Sequence, residues 1–322
     1  MPILTSTFAP SFPFRNGHFS TITPTLFRKV SLSYTQRVRI NTPDHDFIDF
    51  DILQKGNKTA VLLLHGLEGD SQRAYMLGMA KMAVENGWDA VAMNHRGCSG
   101  EPNKLLSAYH SGKTEDLEMA IDYILNQYEY EKLYIIGFSL GGNIVLKYAG
   151  KKGKDTPSEI KAFAAVSVPC DLASSAKKLR KGFNMVYMNR FMHTLREKAR
   201  YKLSKFPNAP FDLKDIERAK TFHDFDNFYT SIVHGFKNAE DYWTKCSSKQ
   251  FFSNIARSTL LINAQNDPFL TPDCFPYTEA NDNNNLFLDT PKYGGHVGFA
   301  SNLNMHQSFY SERMISDFFK TH

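Results

Sequence analysis

Cysteine is scarce in this chain and long apolar runs are missing from it, which limits the compartments and structures open to the protein. The 322 residues include four cysteines, Cys98, Cys170, Cys246 and Cys274, whose spacing offers no CxxC pair and no short set of metal ligands. No apolar run reaches the roughly 18 residues of a membrane-spanning helix, and the proline-broken N-terminus lacks the regions of a signal peptide. We therefore expect a soluble, cytoplasmic protein.

Common cofactor motifs are absent as well. The sequence contains no P-loop, no Gly-x-Gly-x-x-Gly and no His-Glu-x-x-His, so we predict neither a cofactor nor a metal. Disorder is excluded, because 42% of the residues are hydrophobic and only 22% are charged, which supplies enough apolar material for a large core. The sequence makes no prediction of oligomeric state.

Positive charge is concentrated in one segment. The net charge is +5, yet residues 176–220 alone carry +9 and the remainder sums to −4. The basic residues of this segment are Lys177, Lys178, Arg180, Lys181, Arg190, Arg196, Lys198, Arg200, Lys202, Lys205, Lys214, Arg218 and Lys220. We interpret them as a solvated helical face, with weak contact to an anionic lipid surface through Lys177, Lys178, Arg180 and Lys181 as the alternative. No nucleic-acid motif accompanies them, so nucleic acid is not a predicted partner.

The order of elements along the chain predicts an α/β fold with a mostly parallel sheet and helices on both of its faces. Residues 34–40 and 46–53 alternate polar and apolar side chains, which is typical of an antiparallel hairpin. Short continuous apolar runs indicate buried parallel strands at 60–64, 90–93, 133–136, 162–168, 260–263 and 286–288. Helical spacing of apolar residues separates these runs at 71–85, 115–128, 143–148 and 305–320.

One segment interrupts this alternation. Residues 171–257 show little strand pattern, many basic residues and scattered aromatic residues. We predict that they form a helical cap inserted into a core made of residues 1–170 and 258–322. Such an insertion would lie over the C-terminal ends of the strands, where open α/β sheets bind ligands.

The Gly-Phe-Ser-Leu-Gly sequence at 137–141 is the strongest chemical signal. It follows a predicted strand and precedes a predicted helix, which is the setting of a nucleophile elbow. A serine hydroxyl needs a base and an orienting acid. We assign Ser139 as the nucleophile, His296 of the Gly-Gly-His-Val-Gly loop as the base, and Asp267 of the Asn-Asp-Pro turn as the acid. Asp171 is the competing acid, unless it caps the first helix of the insertion.

An acyl-transfer site also needs donors for the oxyanion. Leu140 N–H, directly after the nucleophile, is one candidate, and Leu67 N–H in the His-Gly-Leu-Glu-Gly loop at 65–69 is the second. His65 is expected to hold this loop by a hydrogen bond. The loop at 94–100 either shapes the rim of the pocket or forms a turn around a buried Arg96 ion pair.

Taken together, these motifs resemble the YheT-like group of α/β-hydrolases, also called the AB hydrolase 4 family. The segments that carry the resemblance are 16–22, 65–69, 94–100, 109–112, the elbow around Ser139, 266–268 and 295–298. The resemblance implies an α/β-hydrolase fold and a charge-relay system of Ser139, Asp267 and His296. Members are described as carboxylesterases and lipases, some of them acting on phospholipids, on monoacylglycerols or in acyl-alcohol exchange. Eukaryotic members often carry an N-terminal membrane anchor, and its absence here favours a soluble esterase.

The resulting hypothesis is a serine carboxylester hydrolase that acts through an acyl-enzyme on a small-molecule ester with a short- to medium-chain acyl group. One alternative is an acyltransferase that uses the same triad. Another is a binding protein that keeps the fold without the catalysis.

Overall fold

The computed structural model describes residues 2–322 of the chain, and a nine-stranded sheet forms its centre. The strands are β1 (Ile3–Leu4), β2 (Gln36–Asn41), β3 (Phe47–Leu53), β4 (Thr59–Leu64), β5 (Asp89–Asn94), β6 (Lys132–Phe138), β7 (Ile160–Val166), β8 (Ser258–Ile262) and β9 (Leu286–Asp289). Their spatial order is β1-β9-β8-β7-β6-β4-β5-β3-β2. Strands β1 and β4–β9 pair in parallel, whereas β2 pairs antiparallel with β3, and β3 with β5.

This sheet confirms the predicted fold class and the predicted hairpin. Strand β7 begins two residues earlier than predicted and ends at Val166, because Ser167 adopts a positive φ of 54° that ends the extended conformation. Strand β1 was not among the predicted strands. This strand has only two residues and pairs with β9 at the edge of the sheet, so it leaves no periodic pattern to detect.

The central strands are buried on both faces, as their continuous apolar sequences predict. In β4, Leu62 and Leu64 join one hydrophobic cluster, while Val61 and Leu63 join the other. Successive side chains of a strand point to opposite faces, so each face of the sheet needs its own cover. Helices supply that cover on both sides.

The α-helices are α1 (Gly17–Phe27), α2 (Ala74–Glu85), α3 (Thr114–Gln127), α4 (Leu140–Lys152), α5 (Leu172–Leu179), α6 (Met185–Lys205), α7 (Leu213–Arg218), α8 (Phe222–Phe225), α9 (Ser231–His234), α10 (Ala239–Cys246), α11 (Tyr277–Asp282) and α12 (Tyr310–Thr321). Helix α12 begins five residues later than predicted. Its start is fixed by Glu312, whose carboxylate accepts the Phe309 N–H at 2.9 Å. None of the helices in residues 2–322 is both long and apolar enough to cross a membrane.

Helices α5–α10 all lie between β7 and β8, in the segment predicted to be a cap. A π-helical turn at Asp226–Thr230 joins α8 to α9. Buried residues of the long helix α6, Met188, Met192 and Ala199, belong to the same hydrophobic cluster as one face of the sheet. The insertion is therefore packed onto the sheet, and its division from the core stays a prediction.

Candidate active site

Ser139 lies at the sharp turn between β6 and α4. Its backbone has φ 52° and ψ −115°, a conformation that costs free energy in a residue other than glycine. The two flanking glycines are required by close contacts. A Cβ at Gly137 would lie 2.4 Å from the carbonyl oxygen of Gly141, and a Cβ at Gly141 would lie 2.6 Å from that of His65. The sequence motif is thus explained by how closely its turn is packed.

The three residues predicted to form the triad come together at the C-terminal edge of the sheet. His296 Nε2 lies 3.0 Å from Ser139 Oγ, and His296 Nδ1 lies 2.8 Å from Asp267 Oδ2. An ionised carboxylate accepts hydrogen bonds only, so Nδ1–H donates to Asp267. Nε2 is then left as the acceptor that faces the serine hydroxyl.

The acid is held in a fixed position. Asp267 is 1% exposed, and its second oxygen, Oδ1, accepts the N–H of Phe269 at 2.8 Å. The ring of Phe269 in turn stacks on the His296 imidazole with centroids 4.0 Å apart. Asp171, the competing acid, instead caps α5 by accepting the N–H of Ser174 at 2.8 Å.

Both candidate oxyanion donors line the cavity beside Ser139. Leu140 N–H lies in the first turn of α4, where no earlier helical carbonyl is available to it. Neither this group nor Leu67 N–H finds an acceptor within residues 2–322. The 65–69 loop lies against the elbow, because a Cβ at Gly66 would be 3.1 Å from Ser139 Cβ.

His65 has the structural position that the sequence analysis expected. Its Nε2 accepts the His95 N–H at 3.1 Å, so its Nδ1–H donates to the carbonyl of Gly66 at 2.8 Å. Burial lowers the pKa of His65 well below its ordinary value, and it lowers that of His95 to about 4. Both rings are therefore neutral at physiological pH and hold the loop by hydrogen bonds.

Helix α1 supports His296 from outside the sheet, a role that the sequence analysis did not find. Thr21 Oγ1 accepts the His296 N–H at 2.8 Å, and Ser20 Oγ donates to the Gly294 carbonyl at 2.8 Å. A Cβ at Gly295 would lie 2.6 Å from the carbonyl oxygen of Gly17. The resemblance of segment 16–22 to the family was the only available signal, since the contacts join residues nearly 280 positions apart in the sequence.

A cavity of about 510 Å³ opens beside Ser139 and His296 and extends under the insertion. Apolar side chains from α5, α6, α8 and the 267–270 loop line its walls. They are Leu172, Ala176, Leu179, Phe191, Leu195, Phe222, Phe225 and Phe269. A volume of this size holds a ligand of roughly drug size, and its apolar walls suit a hydrocarbon group.

The basic segment differs from the expected solvated face at four positions. Lys178 Nζ donates to the carbonyl oxygens of Asp267, at 3.0 Å, and Leu270. Lys198 Nζ donates to Glu68 at 2.9 Å. Buried Lys202 bonds the loop at 103–105, and half-buried Arg196 bonds the Ala219 carbonyl.

Lys178, Lys198 and Lys202 therefore join the insertion to core loops by hydrogen bonds. Arg196 makes its bond within the insertion. Of the residues expected to meet anionic lipid, Lys177, Arg180 and Lys181 are exposed, whereas Lys178 is directed towards the 267–270 loop. Nine of the thirteen basic residues are exposed, as the interpretation of a solvated face expects, so that interpretation is wrong only at Lys178, Arg196, Lys198 and Lys202.

The loop at 94–100 satisfies both of its open interpretations. Buried Arg96 forms a bidentate pair with Asp116 at 2.7 and 2.9 Å and also contacts Asp44 at 2.7 Å. Its residues Arg96 and Gly97 also line the cavity.

Comparison with known proteins agrees with this fold. The profile of the alpha/beta hydrolase fold matches residues 59–302. The "Putative esterase YheT" of Escherichia coli is 33% identical over 98% of this chain and 93% of its own. The human protein named Phospholipase ABHD3 is 29% identical over 98% of this chain and 79% of its own. Esterase Pf2001 of Pyrococcus furiosus shares the fold, with a TM-score of 0.62 at 16% identity over 90% of this chain and 91% of that one.

The chain belongs to the α/β-hydrolase family. Within that family it is an esterase- or lipase-type hydrolase of the YheT-like group, which confirms the resemblance found in the sequence.

Proposed function

We propose that this protein is a serine carboxylester hydrolase that works through an acyl-enzyme, with Ser139, His296 and Asp267 as its triad. The observation that carries the proposal is the continuous chain of hydrogen bonds, 3.0 Å from Ser139 to His296 and 2.8 Å from His296 to Asp267. Nucleophile, base and orienting acid in this geometry are what acyl transfer at a serine requires.

In the proposed reaction, Ser139 Oγ attacks the ester carbonyl carbon while its proton passes to His296 Nε2. The N–H groups of Leu67 and Leu140 hold the oxyanion of the tetrahedral intermediate, and the buried Asp267 carboxylate stabilises the imidazolium. His296 then protonates the departing alcohol, which leaves an ester on Ser139. Water, activated by the same imidazole, attacks that ester and releases the carboxylic acid and the free serine.

The size and apolar lining of the cavity support the proposal that the substrates are esters with a short- to medium-chain acyl group. Its apolar lining is supplied largely by the insertion, so we propose that residues 171–257 act as a cap that forms the acyl-binding wall. Each methylene buried there would contribute about 0.8 kcal/mol to binding.

The test is turnover of p-nitrophenyl esters from acetate to palmitate by the wild type, Ser139→Ala and Ser316→Ala. Ser316 lies on α12, bonded to Asn86 and away from the cavity, and serves as the matched control. We expect Ser139→Ala alone to lose at least about 10³-fold in kcat and to lose labelling by a fluorophosphonate. Equal turnover by wild type and Ser139→Ala would refute the mechanism.

The same assay separates hydrolysis from acyl transfer. With added ethanol, an acyltransferase would divert the acyl group from the carboxylic acid to the ethyl ester. Wild-type protein that is folded, inactive and unlabelled by the fluorophosphonate would instead indicate a binding protein.

A further inference from the structure

The oxyanion loop carries a feature that the proposed reaction does not use. Glu68, the residue after Leu67, has a positive φ of 54°, a conformation that needs support from its surroundings in a residue other than glycine. Its side chain is only 8% exposed, so its carboxylate is largely shielded from solvent although Glu68 lines the edge of the cavity. A buried carboxylate is retained only where partners compensate the loss of hydration. Those partners show what holds the loop.

Tyr109 binds Glu68 at two points. The Tyr109 hydroxyl accepts the Glu68 N–H at 2.9 Å and donates to Glu68 Oε1 at 2.6 Å. Burial raises the pKa of Tyr109 well above its ordinary value, so the hydroxyl keeps its proton for this second bond. The Tyr109 ring also stacks in parallel on His95, whose Nε2 donates to the His65 carbonyl at 3.0 Å. One side chain thus braces both ends of the segment that presents Leu67 N–H.

The second partner comes from the insertion. Lys198 on α6 donates from Nζ to Glu68 Oε1 at 2.9 Å, and its ammonium also lies 5.4 Å from the Tyr109 ring centroid. Lys198 is far from Glu68 in sequence, so this contact forms only when α6 is packed onto the core. The direction of the Leu67 N–H therefore depends on the packing of the insertion against the core.

We infer that the direction of the Leu67 N–H is set by a group of three positioning residues, Glu68, Tyr109 and Lys198. Through Lys198, this group makes the oxyanion hole depend on the packing of helix α6 against the core. This inference rests on the proposed function. A donor stabilises an oxyanion only at about 2.7–3.1 Å, so a loop that drifts by 1 Å loses most of that stabilisation. The three residues act through the loop and are positioning residues.

The test compares Tyr109→Phe and Lys198→Met with the wild type, using a p-nitrophenyl ester and phenylboronic acid, which forms a tetrahedral adduct with the serine. Tyr109→Phe keeps the ring and the ion pair but removes both hydrogen bonds to Glu68. We expect kcat to fall at least about tenfold in each variant, with KM within about twofold and boronate affinity reduced in step with kcat.

Two further variants serve as controls. Lys198→Arg keeps the charge and a donor and is expected to restore most of kcat. Glu217→Gln removes an exposed carboxylate on α7 that pairs at 2.5 Å with Arg200 of α6, the helix that carries Lys198. This change is expected to leave kcat and boronate affinity unchanged.

The outcomes are distinct. A fall in melting temperature with wild-type kcat and boronate affinity would reduce the trio to a structural role and overturn the inference. A rise in KM at constant kcat would also overturn it, since that pattern indicates direct substrate contact. If the wild type itself neither turns over esters nor reacts with a fluorophosphonate, the proposed function fails, and this inference with it.

Discussion

Replacing Gly141 by alanine should move the Leu67 N–H away from the Leu140 N–H, the other proposed donor of the oxyanion hole. Gly141 lies in the first turn of α4, directly against the strand and loop that lead to Leu67. A Cβ there would lie 2.6 Å from the carbonyl oxygens of both Leu64 and His65. These are backbone atoms and cannot rotate away, so the loop must retreat by about 0.8 Å to reach an ordinary contact.

The size of the effect follows from that retreat. A misplacement approaching 1 Å at a reacting centre costs about 10²-fold in rate, and the loss of one oxyanion donor costs about 10²–10³-fold. We therefore expect kcat of Gly141→Ala to fall about 100-fold. Overpacking of this kind also destabilises a fold by about 1–3 kcal/mol, so stability must be measured alongside activity.

Gly150→Ala provides the matched control. Gly150 lies on the same helix, and a Cβ there would lie 2.2 Å from the carbonyl oxygen of Phe251, so the overpacking is comparable but remote from Ser139. Both variants would be assayed for p-nitrophenyl butyrate turnover, with active sites counted by fluorophosphonate and stability followed by thermal melting. If Gly141→Ala keeps kcat within about threefold of Gly150→Ala, the oxyanion hole does not lie at this contact.

Three further predictions follow from the site. Asp267→Asn is expected to lower kcat about 10⁴-fold, because the amide favours the wrong tautomer of His296. Asp171→Ala is expected to keep kcat and to cost about 1 kcal/mol of unfolding free energy, because it removes a helix cap. Steady-state kinetics and denaturant unfolding measure the two effects. Leu67→Ala should retain most of the turnover because only its backbone N–H acts, and a loss as deep as that of Ser139→Ala would contradict the assignment. Burial lowers the pKa of Lys202 to about 8, so the unfolded chain binds more protons between that pH and about 10.4. Relative to Lys202→Met, the wild type should gain up to about 3 kcal/mol of unfolding free energy as pH rises through this window, and pH-dependent urea unfolding without such a gain would refute the assignment.

Local sequence determined the parts of the protein whose physics is local. Buried parallel strands need continuous apolar runs, and a sharp elbow needs glycines beside Ser139, so the sheet and the candidate nucleophile could be predicted without a structure. The glycine-flanked His296 and the turn that carries Asp267 were legible for the same reason. The strand-to-loop transitions around them mark the sheet edge where their side chains meet.

Contacts between distant segments decided the rest. The charge of Lys178, Lys198 and Lys202 predicted exposure to solvent, but each of them donates to carbonyl or carboxylate oxygens on core loops once the insertion is packed. Because these partners replace water, burying the ammonium groups costs less free energy than burying an unpaired ion. The bracing of His296 by Thr21 likewise has no sequence pattern, because the two lie 275 positions apart. The motifs of the sequence predict which residues form the candidate triad, while the packing of the insertion and of α1 fixes where those residues are held.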